Sequence, residues 1–184
     1  MDFWGCLAFA GFFLGDYNDW KWSRPYLRGC FPLSLLLLSV VTVMQCVRAP
    51  KALPLPARLI GGVFGLVFLA LLIYTLFFAL PAKEAYAQQE TGRKACTHGV
   101  YALCRHPGVL WFIGLYLSLS LCFGLPLHTT FLYSALNILL VLFEDRCVFP
   151  SQLQGYAAYR QTTPFLIPTP SSFRAWRRHS HQSW

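Results

Sequence analysis

The feature that most restricts this chain is a series of long apolar runs, four of which approach or reach the length of a bilayer crossing. A helix needs about 20 predominantly apolar residues to cross roughly 30 Å of hydrocarbon. Phe31–Val47, Leu59–Leu80, Val109–Leu127 and Thr129–Phe143 are the four, and the second, uncharged throughout, is the clearest. Charged residues make up 12% of the 184 positions, about half the share usual in a soluble domain. A water-soluble fold of one domain could not hide so much apolar surface. The expected fold is all-α: a polytopic membrane helical bundle of four transmembrane helices with a cytosolic C-terminal helix. The run Phe3–Leu14 is too short to cross comfortably. Residues 1–30 therefore read as an interfacial or re-entrant segment, with a fifth span as the alternative. Trp4, Trp20 and Trp22 suit the headgroup level.

Fifteen Lys and Arg against seven Asp and Glu give a formal net charge of +8. The basic residues lie between the apolar runs and form no continuous face, which points to anionic lipid headgroups and away from nucleic acid. Basic loops mark the cytosolic side of a membrane protein. Lys83, Arg93, Lys94 and Arg105 precede the third span, while Arg146, Arg160, Arg174, Arg177 and Arg178 follow the fourth. Lys21, Arg24 and Arg28 fall on the same side, leaving Arg48, Lys51 and Arg58 opposite. The 83–105 loop and the carboxyl end, including the basic tail 169–184, are thus assigned to the cytosol. The amino terminus lacks the basic start and small-residue cleavage site of a signal peptide.

Seven cysteines (Cys6, Cys30, Cys46, Cys96, Cys104, Cys122 and Cys147) show no C-x-x-C spacing and read as structural thiols. His179 and His181, in the basic tail, make no metal site. Gly61 and Gly65 form a G-x-x-x-G that lets another helix approach closely.

Chemistry-bearing residues gather in three blocks. The first runs from His98 to Trp111, just before the third span. Pro107 suits the first turn of a helix, where a missing N–H costs nothing. His106 then stands at the helix entrance, whose free N–H groups favour an anion, and Arg105 adds a planar fork suited to a carboxylate. The second block, Glu144-Asp145-Arg146, closes the fourth span. Spans three and four are joined by few residues and must be antiparallel neighbours. Pro107 to Gly124 covers about 26 Å and Thr130 to Glu144 about 21 Å at the α-helical rise, so Arg105 and His106 are expected near Glu144. The third block is Gly155-Tyr156-Ala-Ala-Tyr159, then Thr163-Pro164-Phe165-Leu166-Ile167-Pro168. It puts Tyr156 and Tyr159 on one face of a short helix, which reads as a flap over the mouth of spans three and four. Taken singly, the blocks read as a topology anchor, a surface ion pair and an interfacial helix.

Taken in order, Gly99-Val-Tyr101, Arg105-His106-Pro107, Glu144-Asp145, Gly155-Tyr156-Ala-Ala-Tyr159 and the strip from Pro164 to Pro168 carry a family pattern. They resemble the integral membrane methyltransferases related to isoprenylcysteine carboxyl methyltransferase, which also look like the phospholipid methyltransferases. The chain departs from that pattern at Val109, where tyrosine is usual, at Asp145, where the second acid is often Glu, and in the closed-up Gly155-Tyr156 pair. The resemblance implies a single domain over 1–168, with its catalytic motifs in 92–168. It further implies S-adenosylmethionine held at the cytosolic ends of the last spans. Arg105 and Glu144 are then the catalytic residues. His98, Gly99, Tyr101, Arg105, His106, Pro107, Glu144, Tyr156 and Tyr159 are the cofactor-binding set. In it, Arg105 and the His106 entrance meet the cofactor carboxylate, Glu144 its amine or ribose, and Tyr101 its adenine.

The implied activity is methyl transfer to an apolar, membrane-resident carboxylate or amine. A carboxylate nucleophile needs no base, whereas an amine would give its proton to Glu144. No G-x-G-x-x-G follows a strand, so a soluble-type dinucleotide fold is not expected. Two further readings stay open. One is an NADPH-dependent membrane reductase of related architecture. The other is a non-catalytic membrane scaffold, in which Arg105 and Glu144 tolerate replacement.

Overall fold

The structure, a computed structural model, describes residues 1–50, 53–79 and 93–180. Lys51, Leu80, Lys83 and His181, used in the sequence reading, lie outside these residues, as do the side chains of Arg93, Arg178 and His179. Among the described residues the fold is all-α apart from a two-residue parallel pairing of Arg93–Lys94 with Leu153–Gln154. Helices α1 (Asp2–Tyr17), α2 (Cys30–Arg48), α3 (Leu55–Ile73), α4 (Pro107–Phe123) and α5 (Leu127–Phe143) form the bundle. Two short helices, α6 (Tyr156–Thr162) and α7 (Pro170–Ser180), cap one end.

Three helical stretches, Pro25–Arg48, Leu55–Phe78 and Leu127–Gln152, are long and apolar enough to cross a membrane. They contain the expected first and fourth spans and the expected second from Leu59 to Phe78. The third is α4, 17 residues long or about 26 Å. It starts at Pro107 as its sequence requires and stops where Gly124 takes a left-handed conformation (φ 79°). A side chain at Gly124 would also run into the Pro50 carbonyl.

Residues 1–30, read from sequence as an interfacial or re-entrant segment with a fifth span as the alternative, form α1 and the turns that follow it. At one end of α1, the Asp2 carboxylate accepts hydrogen bonds from Gln45 on α2 (2.8 Å) and Thr129 on α5 (3.0 Å). At the other, Trp20, in the wide turn that follows α1, meets Phe143 at the end of α5 (5.7 Å). The segment therefore lies along the full length of α5. Close approach is possible because Gly5 leaves room for the Tyr133 phenol, which a methyl group there would displace. Phe9 and Phe12 then join Phe112, Tyr116 and Tyr133 in the buried core.

The G-x-x-x-G motif acts within the chain. A Cβ at Gly61 would lie 2.8 Å from the Cys122 amide nitrogen, and one at Gly65 would lie 3.5 Å from Ser118 Cβ. These contacts seat α3 on α4, and Phe68 covers Gly114 one step further along. The rest of α3 is exposed, with Leu66, Val63 and Leu59 all more than half accessible. A helix of this kind, uncharged from Leu59 onward and packed along one narrow seam, leaves the remainder of its surface to lipid.

Candidate functional site

At the end of the bundle where α4 begins and α5 finishes, the three sequence blocks meet. Helix α4 opens at Pro107, with His106 as its cap. Helix α5 does not stop at Phe143. It widens into a π-type turn, Glu144–Val148, and closes with one more α turn, Phe149–Gln152. Such wide turns inside helices shift the angular position of the side chains they carry. Here Asp145, and not Glu144, is the acid aimed at Arg105.

Asp145 is the hub. Its Oδ1 accepts from Arg105 Nε (2.7 Å), from the Tyr156 hydroxyl (2.6 Å) and from His106 Nε2 (3.3 Å). Its Oδ2 accepts from Arg105 Nη2 (3.1 Å) and faces Arg160 Nε at 3.5 Å. The Arg105–Asp145 pair is thus bidentate, the strong geometry for a guanidinium on a carboxylate. Arg105 Nη1 donates to the carbonyls of Thr163 (2.6 Å) and Arg160 (3.2 Å). Arg105 and His106 also donate their backbone N–H groups to the carbonyls of Pro164 (2.9 Å) and Phe165 (3.2 Å). The strip after α6 is therefore laced to the entrance of α4, which is where the sequence reading places a flap.

His106 is clamped between rings. Phe149 stacks on it at 5.8 Å, and Phe165 meets it edge-on at 5.1 Å. Burial holds the imidazole below the ordinary histidine value, and the Asp145 carboxylate only partly counters this. In the tautomer that donates from Nε2 to Asp145, Nδ1 keeps its lone pair and faces Glu144 Oε2 at 3.9 Å. Glu144 also meets the carboxyl group of Asp16, which comes from the end of α1.

The tyrosines tie the capping helices to the bundle. Tyr101, in the turn Gly99–Ala102, donates to the Thr75 carbonyl at the end of α3 (3.2 Å). Its own carbonyl accepts from the Tyr159 hydroxyl (2.7 Å). Burial pushes the Tyr101 phenol up to about 12, and burial likewise raises Tyr156 and Tyr159. All three are neutral donors at physiological pH. Burial also raises Cys104, to about 11, so it is an inert thiol.

Of the residues singled out from sequence, Tyr101, Arg105, His106, Pro107, Glu144, Tyr156 and Tyr159 come together in one network. His98 and Gly99 do not join it. Both are exposed, and Gly99 serves the backbone with a φ of 59°. Sequence reasoning passed over Asp145 as a site residue, although it adjoins Glu144. It also passed over Arg160 and Asp16, for which no local motif gives a signal. A cavity of about 400 Å³ lies beside the network, between α6, α7 and the Gly99–Ala102 turn. Its lining includes Tyr159 and the hydroxyl-bearing Thr97, Thr162, Thr163, Ser171 and Ser172.

No family model matches the chain, and neither a curated protein nor a solved structure matches it.

Proposed function

We propose that this chain transfers a methyl group from S-adenosylmethionine to an apolar, membrane-resident acceptor, a carboxylate or an amine, at the cytosolic membrane face. One observation carries the reading. Three blocks that together resemble the isoprenylcysteine carboxyl methyltransferase-like enzymes, the first separated in sequence from the other two by α4 and α5, share one buried polar network centred on Asp145.

The network changes the role proposed for Arg105. Asp145 and two carbonyls engage four of the five N–H bonds a guanidinium has. Arg105 is therefore a positioning residue that fixes the carboxyl-terminal strip across the entrance of α4. Arg160, on the same network and 42% exposed, is the arginine that a ligand carboxylate can reach. The neighbouring cavity falls in the size range of small-molecule sites, and its hydroxyl groups suit ribose and adenine.

S-adenosylmethionine supplies a methyl group already activated on a sulfonium, so the protein has mainly to align the acceptor and exclude water. A carboxylate acceptor loses no proton on methylation. An amine acceptor must release one, and Glu144, unclaimed by any arginine, is the proton acceptor of that case. The acceptor enters from the lipid side along α3 and α4, and the cofactor enters from the aqueous side.

The test is transfer of labelled methyl from S-adenosylmethionine in membranes containing the full chain, followed by extraction with organic solvent. Label in the apolar extract is the expected result, lost with Glu144→Gln where the acceptor is an amine and retained where it is a carboxylate, which releases no proton. Absence of wild-type label, with both lipid amines and prenylated carboxylates supplied, overturns the reading.

A further inference from the structure

Helix α7 carries a face that the site does not use. Its inner side is taken: Ser172 is buried in a reciprocal cap with Thr169, and Ser171, Ser172 and Ala175 wall the cavity. Its outer side presents Phe173, 52% exposed, with the exposed Arg174 and Arg177 beside it. The helix contains three arginines and no acid, and no acid follows it in the chain. A helix with an apolar patch bordered by cationic side chains is the pattern of segments that lie in a membrane interface.

The depth of α7 follows from its anchor. It packs on the Gly99–Ala102 turn, and that turn is pinned by Tyr101 to the carbonyl of Thr75 in the last turns of the apolar α3 stretch. One helix diameter is about 10 Å, and the headgroup layer adds about 5–8 Å to each side of the hydrocarbon. Helix α7 is therefore held at headgroup level. Ile167, 76% exposed in the strip just before it, adds a second apolar group there.

We infer that the outer face of α7 docks on anionic phospholipid headgroups of the membrane that holds the bundle, with Phe173 inserted between them and Arg174 and Arg177 on the phosphates. The partner is a lipid surface because the charge is complementary and the helix already lies in that layer. Each arginine near an anionic surface contributes about fivefold to such an equilibrium. The attraction weakens as salt shortens the screening length from about 10 Å at 0.1 M to 3 Å at 1 M.

The experiment is amide hydrogen exchange on the full chain in nanodiscs of phosphatidylcholine alone or with phosphatidylserine. Residues 170–180 are expected to exchange at least tenfold more slowly with phosphatidylserine, and to lose that protection in high salt. The R174Q/R177Q variant is expected to exchange alike in both lipids, while amides of α2–α5 keep wild-type protection and so report an intact bundle. Equal exchange of wild-type 170–180 in the two lipids overturns the inference. So does a phosphatidylserine effect that survives in R174Q/R177Q. If the double variant disturbs the bundle, R174Q alone serves in its place: it is expected to lose part of the phosphatidylserine protection, and full retention of it overturns the inference.

Discussion

Arg105 and Asp145, forty positions apart in sequence, form a two-pronged ion pair (2.7 and 3.1 Å) that joins the start of α4 to the turn ending α5. Both side chains are nearly inaccessible, at 9% and 4%. The pair also holds the strip from Arg160 to Phe165, so it fixes the geometry of everything else at that end.

Breaking one side of a buried pair leaves the other charge uncompensated, at a cost of about 3–5 kcal/mol. Arg105→Ala should lower the unfolding midpoint of the detergent-solubilised protein accordingly. Arg105→Ala/Asp145→Ala should recover part of the loss, because no charge is then stranded. A double variant less stable than either single one would contradict the assignment.

Neighbouring acids should behave differently. Asp145→Asn removes the hub and should destabilise by about 2 kcal/mol or more. Glu144→Gln is expected to change the midpoint little while abolishing transfer to an amine acceptor. Stability and turnover measured on the same preparations check this, and equal effects of the two substitutions on stability would count against separate roles.

Much of this end was legible in the sequence, and for local reasons. Pro107 marks a helix start by its own covalent geometry, and the shortness of the link after Gly124 forces α4 and α5 to be antiparallel. Those two facts were enough to bring Arg105 and His106 to the end of α5. Which acid would face Arg105 was not legible, because it depends on the wide turn Glu144–Val148, a feature no local residue pattern announces. The course of α1 was equally hidden. Its apolar run is short, and it reaches the length of α5 only by continuing through Asp16, which meets Glu144, and Trp20, whose ring meets Phe143. Asp16 becomes a neighbour of Glu144 for that reason alone.

Burial lowers the folded-state value of His106 below that of the unfolded chain. Between the two values the unfolded state binds more protons, so stability rises with pH there and falls as the solution is acidified below about 6.5. The midpoint of the wild-type protein relative to His106→Gln should therefore fall as the pH is lowered from 7.5 to 5, the comparison cancelling what the neighbouring carboxyls contribute. A difference that does not change with pH would assign His106 no part in it.

The α3–α4 seam gives a steric prediction. Gly61→Ala places a methyl 2.8 Å from the Cys122 nitrogen, where backbone must move, and should destabilise by about 1–3 kcal/mol. Gly65→Ala meets Ser118 Cβ at an ordinary 3.5 Å and should be close to neutral. Thermal unfolding of the two variants separates a tight seam from a loose one.

The most direct test of the proposed activity is calorimetric titration of the purified full chain with S-adenosylhomocysteine, the product form of the cofactor. The account predicts saturable binding of one molecule per chain with a Kd below about 1 mM, or roughly −4 kcal/mol. Absence of saturable heat at that concentration, from protein whose bundle is intact, would contradict it.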